Sequence, residues 1–321
     1  MDVQRQIELG NERRKARDFQ GALDAYRQAM EQDPANQALL LAMGDAYRGL
    51  KDFENSLRLW MQSLETHPKD VPVLTRVADA HKNLGHRDLA VEFYRRALDL
   101  QKNNRYALMG IGDLHYKEGN YREALVHWER LLQVDPRLIN IITMVGNIHR
   151  RQHNFEKAVD CFSAAIKLSP DNNYAIYGMA DALRGLGRYP QAAPYWEEIA
   201  QRDPGSVQVL TRAGDCFFRL GDPVKAEQFF RRAMAIRPDA AALRGLSRIQ
   251  RSRGEFAAAL ANYACILART PGDARTLVLV GETLCESAGR EAALDYLRGQ
   301  LKDHPGTGEI EHAIQRLSAS S

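Results

Sequence analysis

Three histidines, His81, His115 and His149, stand 34 residues apart in the 321-residue chain, a regular imidazole spacing that invites a metal site. Zinc holds its ligands at about 2 Å, whereas packed helices stand about 10 Å apart. Three residues on successive helices therefore cannot share one ion, and they read as core positions. His149 and His153 have the i, i+4 spacing that suits a metal, yet no third ligand is evident and His153 falls in a turn pattern. The four cysteines, Cys161, Cys216, Cys265 and Cys285, form no C-x-x-C pair, which disfavours a metal knuckle or redox site. They read as scattered helix residues in a reducing compartment. No Walker loop, H-E-x-x-H, nucleophile elbow or paired zinc cysteines occurs, and Gly110-x-Gly112 lies inside a helical pattern where no phosphate reaches its amides. The expectation is a chain that is not an enzyme and that uses no metal and no cofactor.

Composition narrows the partners. Apolar residues make up 45% and charged residues 26%, ordinary for a protein with a core. Forty-four Lys and Arg against 41 Asp and Glu give a net charge of +3, far from the concentrated basicity that counterion release from nucleic acid requires. The opening stretch MDVQRQIELGNERRKARDF has no apolar run behind its charges, so it reads as neither a secretory signal nor an anchor. No window approaches the ~20 apolar residues that span a bilayer. These features point to a cytoplasmic protein without direct membrane insertion, although a piece cut from a longer secreted or membrane-anchored protein would read the same.

The elements that position these residues come from a period. Prolines 34, 68, 136, 170, 204, 238, 271 and 305 are separated by 34 residues, or by 68 or 33, with Lys102 in the one vacant place. Self-similarity of this kind decides the whole fold. Inside a period the apolar residues run at helical spacing twice. Leu40, Met43, Gly44 and Tyr47 paint one helix face, and Phe53, Leu57, Trp60 and Leu64 paint a second, which the next proline ends. Each period is thus a helical hairpin.

The chain resembles the tetratricopeptide-repeat (TPR) family, whose W-x2-L-G-x2-Y…A-x3-F…P pattern recurs with small substitutions. The Leu-Gly pair stands as Leu9-Gly10, Met43-Gly44, Ile111-Gly112, Val145-Gly146 and Val280-Gly281, among others. The second-helix alanine stands as Ala22, Ala90, Ala124, Ala158, Ala192, Ala226, Ala259 and Ala293, with Ser56 in repeat two. Four residues after each comes Tyr26, Trp60, Tyr94, Trp128, Phe162, Trp196, Phe230, Tyr263 or Leu297. The resemblance implies an all-α, right-handed superhelical solenoid of nine hairpins over residues 3–305. The repeats are 3–36, 37–70, 71–104, 105–138, 139–172, 173–206, 207–239, 240–273 and 274–305. Residues 306–321, with Ile310, Ile314 and Leu317, suit a capping helix and tail. One hairpin cannot bury its own apolar face, so stability adds up from neighbour to neighbour. Pro190 suits a first helical position, but Pro194 a turn further in and Pro223 at the start of a second helix predict a local bend in repeats six and seven.

The same resemblance implies that first helices line a concave groove. Position 9 of the repeat reads Asn11, Asp45, Asp79, Asp113, Asn147, Asp181, Asp215, Arg248 and Glu282. A basic row that includes Arg14, Arg48, Lys82, Arg150, Arg184 and Arg251 follows three or four residues later. These charges either pair one turn away or with the neighbouring repeat, at ~0.2–0.5 kcal/mol per exposed pair, or form a polar track for a ligand. Aromatic and apolar anchors cluster at Tyr106, Met109, Tyr116, Tyr174, Tyr177 and Phe218. With Arg48, Arg76, Lys82, Asn147, Arg150, Arg184 and Arg212 they make up the expected partner-binding residues. The family's two-carboxylate clamp for chaperone tails is matched at only two of five places, in Ile7, Asn11, Ala42, Pro72 and Arg76 and again in Thr143, Asn147, Gly178, Gln208 and Arg212. The Asn row of O-GlcNAc transferase is absent. One echo remains: VPVLTRVAD at 71–79 and VQVLTRAGD at 207–215, four repeats apart, which block duplication explains.

The expected function is a non-catalytic scaffold that binds a peptide or helical segment of a partner protein in the groove. Two alternatives are the targeting array of a larger enzyme, such as a glycosyltransferase or kinase, and a homo-oligomer that self-assembles through its ends or convex face.

Overall fold

A computed structural model describes residues 3–34 and 36–319, which form nineteen α-helices and no strand. The chain divides into two compact units, Met1–Ile148 and His149–Ser321. Unit 1 holds α1 (Val3–Lys15), α2 (Phe19–Met30), α3 (Gln37–Gly49), α4 (Phe53–Thr66), α5 (Val71–Asn83), α6 (Arg87–Leu100), α7 (Arg105–Lys117) and α8 (Tyr121–Val134). The helix α9 (Ile139–Arg151) carries the boundary. Unit 2 continues with α10 (Phe155–Leu168), α11 (Asn173–Gly185), α12 (Tyr189–Arg202), α13 (Val207–Leu220), α14 (Pro223–Ile236), α15 (Ala240–Ser252), α16 (Phe256–Leu267), α17 (Ala274–Ala288), α18 (Arg290–Asp303) and α19 (Gly308–Ala319).

Local chemistry starts and stops these helices. Asn36, Asp70, Asn104, Asn172, Ser206 and Asp239 each precede a first helix and accept from the backbone N–H three residues on, which satisfies one orphan donor of the helix start. Second helices end on His67, Asp135, Ser169 and Asp203, each just before a proline that disfavours helical backbone in the preceding residue. The turn inside the hairpin passes through the left-handed region. Gly221 takes it at φ 88°, while Lys51 and His153 take it without glycine. His153 is thus a turn residue. Pro194 lies inside α12, which nevertheless runs as one helix from Tyr189 to Arg202, and Pro223 is the first residue of α14 behind the cap Asp222.

The core is a row of second-helix rings. Tyr26, Trp60, Tyr94, Trp128, Phe162, Trp196, Phe230, Tyr263 and Leu297 are all buried, as are the small residues four places before them. At Gly44 and Gly112 the ring of the same hairpin presses on the first helix so closely that a side chain there has no room, whereas Ala78, Ala180 and Ser247 fit opposite theirs. A Cβ at Gly44 would meet Trp60 at 2.3 Å, and one at Gly112 would meet Trp128 at 2.3 Å. Glycine at those two places is therefore a consequence of the ring opposite. The histidines also stay within their hairpins: His81 stacks on Phe93 at 5.5 Å and His115 on His127 at 5.8 Å. Next-but-one helices pack side by side at α1–α3, α5–α7, α13–α15 and α17–α19, all of them first helices or the terminal cap. The first helices thereby present a shared face in each unit. The terminal helix α19 covers the last hairpin with Ile310 and Ala313 against Leu277 and Leu297.

Two arginine-rich candidate interfaces

The position-9 row lies along that face, and its members differ in what they bond. Two of the tyrosine rings, Tyr26 and Tyr94, use the hydroxyl to donate to the position-9 side chain of their own hairpin. Tyr26 donates to Asn11 at 2.8 Å and Tyr94 to Asp79. Trp60 and Trp196 have no hydroxyl, and opposite them Asp45 and Asp181 gather arginines instead.

Asp181 is buried, its side chain 5% exposed, and it accepts from three guanidiniums. Arg184, one turn on, gives Nε at 3.0 Å and Nη2 at 2.8 Å; Arg212 on the next first helix gives Nη1 at 2.7 Å; Arg150 on the preceding one completes the set. Burial pushes this carboxyl upward, but Arg184, Arg212 and Arg150 outweigh burial and hold it below the ordinary carboxylate value. In unit 1 Asp45, 11% exposed, stands among Arg14 at 3.6 Å, Arg48 at 3.2 Å and Arg76 at 3.1 Å. All four residues of the second cluster lie 136 residues after those of the first. The intervening chain repeats in register: Met43-x-Asp45-Ala46-x-Arg48-Gly49-Leu50 returns as Met179-x-Asp181-Ala182-x-Arg184-Gly185-Leu186.

Tetratricopeptide-repeat models match residues 13–78, 71–104, 105–138, 142–172 and 177–241. The chain belongs to the tetratricopeptide-repeat family. Among solved structures, part of a TPR protein from Cytophaga hutchinsonii is similar over 75% of this chain and 99% of its own, at 16% identity and a TM-score of 0.62. YrrB, described as a TPR protein with an unusual peptide-binding site, is similar over 57% of this chain and 95% of its own, at 21% identity and a TM-score of 0.54. No curated protein matches the chain.

Each unit of the TPR array opens a pocket beside its arginine cluster. In unit 1 a pocket of about 390 Å³ is lined by Arg48, Thr75, Arg76, Asp79 and Tyr106, among others. In unit 2 a pocket of about 580 Å³ brings together Arg184, Arg212, Arg237, Arg244, Arg248 and Arg275, with Asp215 and Asp239 the only acidic lining. Arg244 pairs with Asp273 at 2.8 Å and Arg248 with Asp215 at 2.7 Å, while Arg237 and Arg275 make no ion pair among the described residues. Gly245 and Phe230 both line this pocket, packed so closely that a Cβ at position 245 would meet the ring at 2.3 Å.

Six of the thirteen expected binding residues lie in these places and seven outside them. Arg48, Arg76 and Tyr106 share the unit 1 pocket, and Arg184 and Arg212 the unit 2 pocket, with Arg150 behind them on Asp181. Tyr177 stands at the rim, its hydroxyl accepting from Gln208 at 3.2 Å, but its ring lies edge-on to Trp196 at 5.3 Å. That ring is held by the core as well as by the face, whereas Tyr174 is 80% exposed and Tyr106 64%. Tyr116 tilts onto Trp128 at 5.2 Å, and Phe218 lies under the Arg248 guanidinium at 4.5 Å. Lys82 reaches Asp79 and Asp113, at 3.5 and 4.0 Å, and Met109 and Asn147 are half-buried. Asp45, Asp181, Arg237, Arg244, Arg248 and Arg275 were outside the expected set. The signal for the first two was the 136-residue echo, which extends well before residue 71.

Proposed function

We propose that this TPR chain is a non-catalytic scaffold that captures a peptide or helical segment of a partner protein in a groove lined by its first helices. The observation that carries the reading is the pairing, on that face, of exposed rings the core does not need with pockets walled by guanidiniums. Tyr106 is 64% exposed and Tyr174 80%, and apolar surface of this kind marks interaction sites. Tyr and Arg also dominate interface energetics, because they desolvate broad planar surfaces while keeping a polar handle. YrrB, similar in fold, is named for its peptide-binding site.

A display library of twelve-residue peptides, selected against the folded chain, tests this directly. Selected peptides are expected to lose affinity for Tyr174→Ala and Arg212→Ala while both variants keep the wild-type melting temperature. No enrichment, or peptides indifferent to both substitutions, would overturn it.

A further inference from the structure

The two pockets have the same walls. Arg48, Thr75, Arg76 and Asp79 of the unit 1 pocket correspond to Arg184, Thr211, Arg212 and Asp215 of the unit 2 pocket, each pair 136 residues apart. The match extends to the next helix start, where the cap Asn104 of α7 corresponds to the cap Asp239 of α15, and Tyr106 two places on corresponds to Ala241. Both threonine hydroxyls turn back onto their own helix, Thr75 donating to the Pro72 carbonyl at 2.8 Å and Thr211 to the Val207 carbonyl and, at 3.3 Å, to that of Gln208.

A cluster of three arginines on one aspartate is a poor device for stability. It leaves two positive charges in excess, and the desolvation of a buried carboxylate offsets much of the attraction. It is a good device for holding donors in place. Each guanidinium carries five N–H groups, of which Arg212 gives one and Arg184 two to Asp181. The buried carboxylate thus fixes the rotamers of Arg184 and Arg212, and their remaining N–H groups are free of it at the pocket wall. Ordered planar forks are suited to carboxylate groups, which accept two parallel bonds, and little side-chain entropy is left to lose on binding.

We propose that the chain carries the same acidic-peptide site twice, one in each unit, and that it takes two aspartate- or glutamate-rich segments, the unit 2 copy more tightly. This rests on the scaffold reading and names the class of its ligand. The order of affinity follows from charge. Unit 2 adds Arg237, Arg244, Arg248 and Arg275 to the shared wall, against one added acid, Asp239; unit 1 has Arg48 and Arg76 against Asp79.

The test is calorimetric titration of the full chain at low salt with acetylated, amidated octaglutamate, beside octaglutamine. Two bound octaglutamates per chain are expected, of unequal affinity, both weakened by added salt. Arg76→Glu should remove the weaker and Arg212→Glu the tighter, each leaving one, with circular dichroism reporting the fold. Arg231→Glu, on the exposed side of α14 where Arg231 pairs with Glu227, should leave both. Should the charge reversals disturb folding, Arg76→Gln and Arg212→Gln carry the same expectation. One or no site in the wild type, equal binding of octaglutamine, or an Arg231→Glu loss as large as that of Arg212→Glu would overturn the proposal. Display peptides that need Arg212 and Tyr174 yet carry no acidic residues would overturn it alone and leave the scaffold reading standing; the absence of any selected peptide, acidic or not, that needs Arg212 and Tyr174 would end both.

Discussion

Arg212 donates to the Asp181 carboxylate from 31 residues further along the chain, and Arg76 stands in the same relation to Asp45. The Asp181 carboxylate is what allows three guanidiniums to share one place. Asp181→Asn keeps the shape and removes the charge, so it should destabilise unit 2 by about 1–3 kcal/mol, below the cost of breaking a fully buried pair because the arginines are partly solvated. Added salt should recover part of the loss by screening the arginines from each other. Melting curves in low and high salt check this: a variant whose deficit ignores salt would mean that the arginines are not repelling. The depressed carboxyl also fixes the sign with pH. Its contribution is present above the ordinary carboxylate range and disappears as acid titrates it through its lower folded value.

Tyr174 and Tyr177 look alike in sequence and differ in the fold. Tyr174→Ala removes an exposed ring and should change stability by less than about 0.5 kcal/mol. Tyr177→Ala removes the edge contact with Trp196 and should cost about 1 kcal/mol or more. Equal melting temperatures for the two variants would contradict the geometry.

The hairpins were legible in the sequence because their signals are local and repeated: proline after each second helix except α6, a small residue opposite each ring, helical spacing between. The rings that expectation placed in the core are buried. The arginine hubs were less legible. Arg48 and Arg184 lie one turn from their aspartates, a spacing any helix offers, whereas Arg76 and Arg212 reach theirs from the next first helix, 31 residues along the chain. Nor does Tyr177 announce Trp196, nineteen places on, as its neighbour. Equally hidden in the sequence is that Asp79 takes the Tyr94 hydroxyl while Asp45 and Asp181, opposite tryptophans, hold arginines, a difference visible only once the helices are paired.

The glycines opposite the rings carry a further expectation. Gly112→Val would place a Cβ 2.3 Å from the Trp128 indole, a ring with no room to retreat. Overpacking of this kind costs about 1–3 kcal/mol, and more where the ring is fully enclosed. Gly205→Val, at a place with nothing within 4 Å of the added Cβ, is the control and should be close to neutral. Denaturant melts that rank the two alike would show that the indole can move aside.

The stacked pair His115 and His127 makes unit 1 sensitive to mild acid. Burial lowers the His127 pKa to about 4, helped by the neighbouring His115 ring and by Arg130 and Arg95. The unfolded chain binds its proton near the ordinary value of 6.5. Between these two values the unfolded state holds more protons than the folded one, so stability is intact above 6.5 and falls as the pH drops toward 4, by at most about 1.4 kcal/mol per pH unit. His127→Phe keeps a ring against His115 and has no proton to gain. Its melting temperature relative to wild type should be constant above pH 7 and should rise steadily from pH 6.5 down to pH 4. The comparison cancels the titration of the carboxylates, which both proteins share. A difference that stays flat across the acid range would mean that His127 is protonated as easily in the fold as outside it.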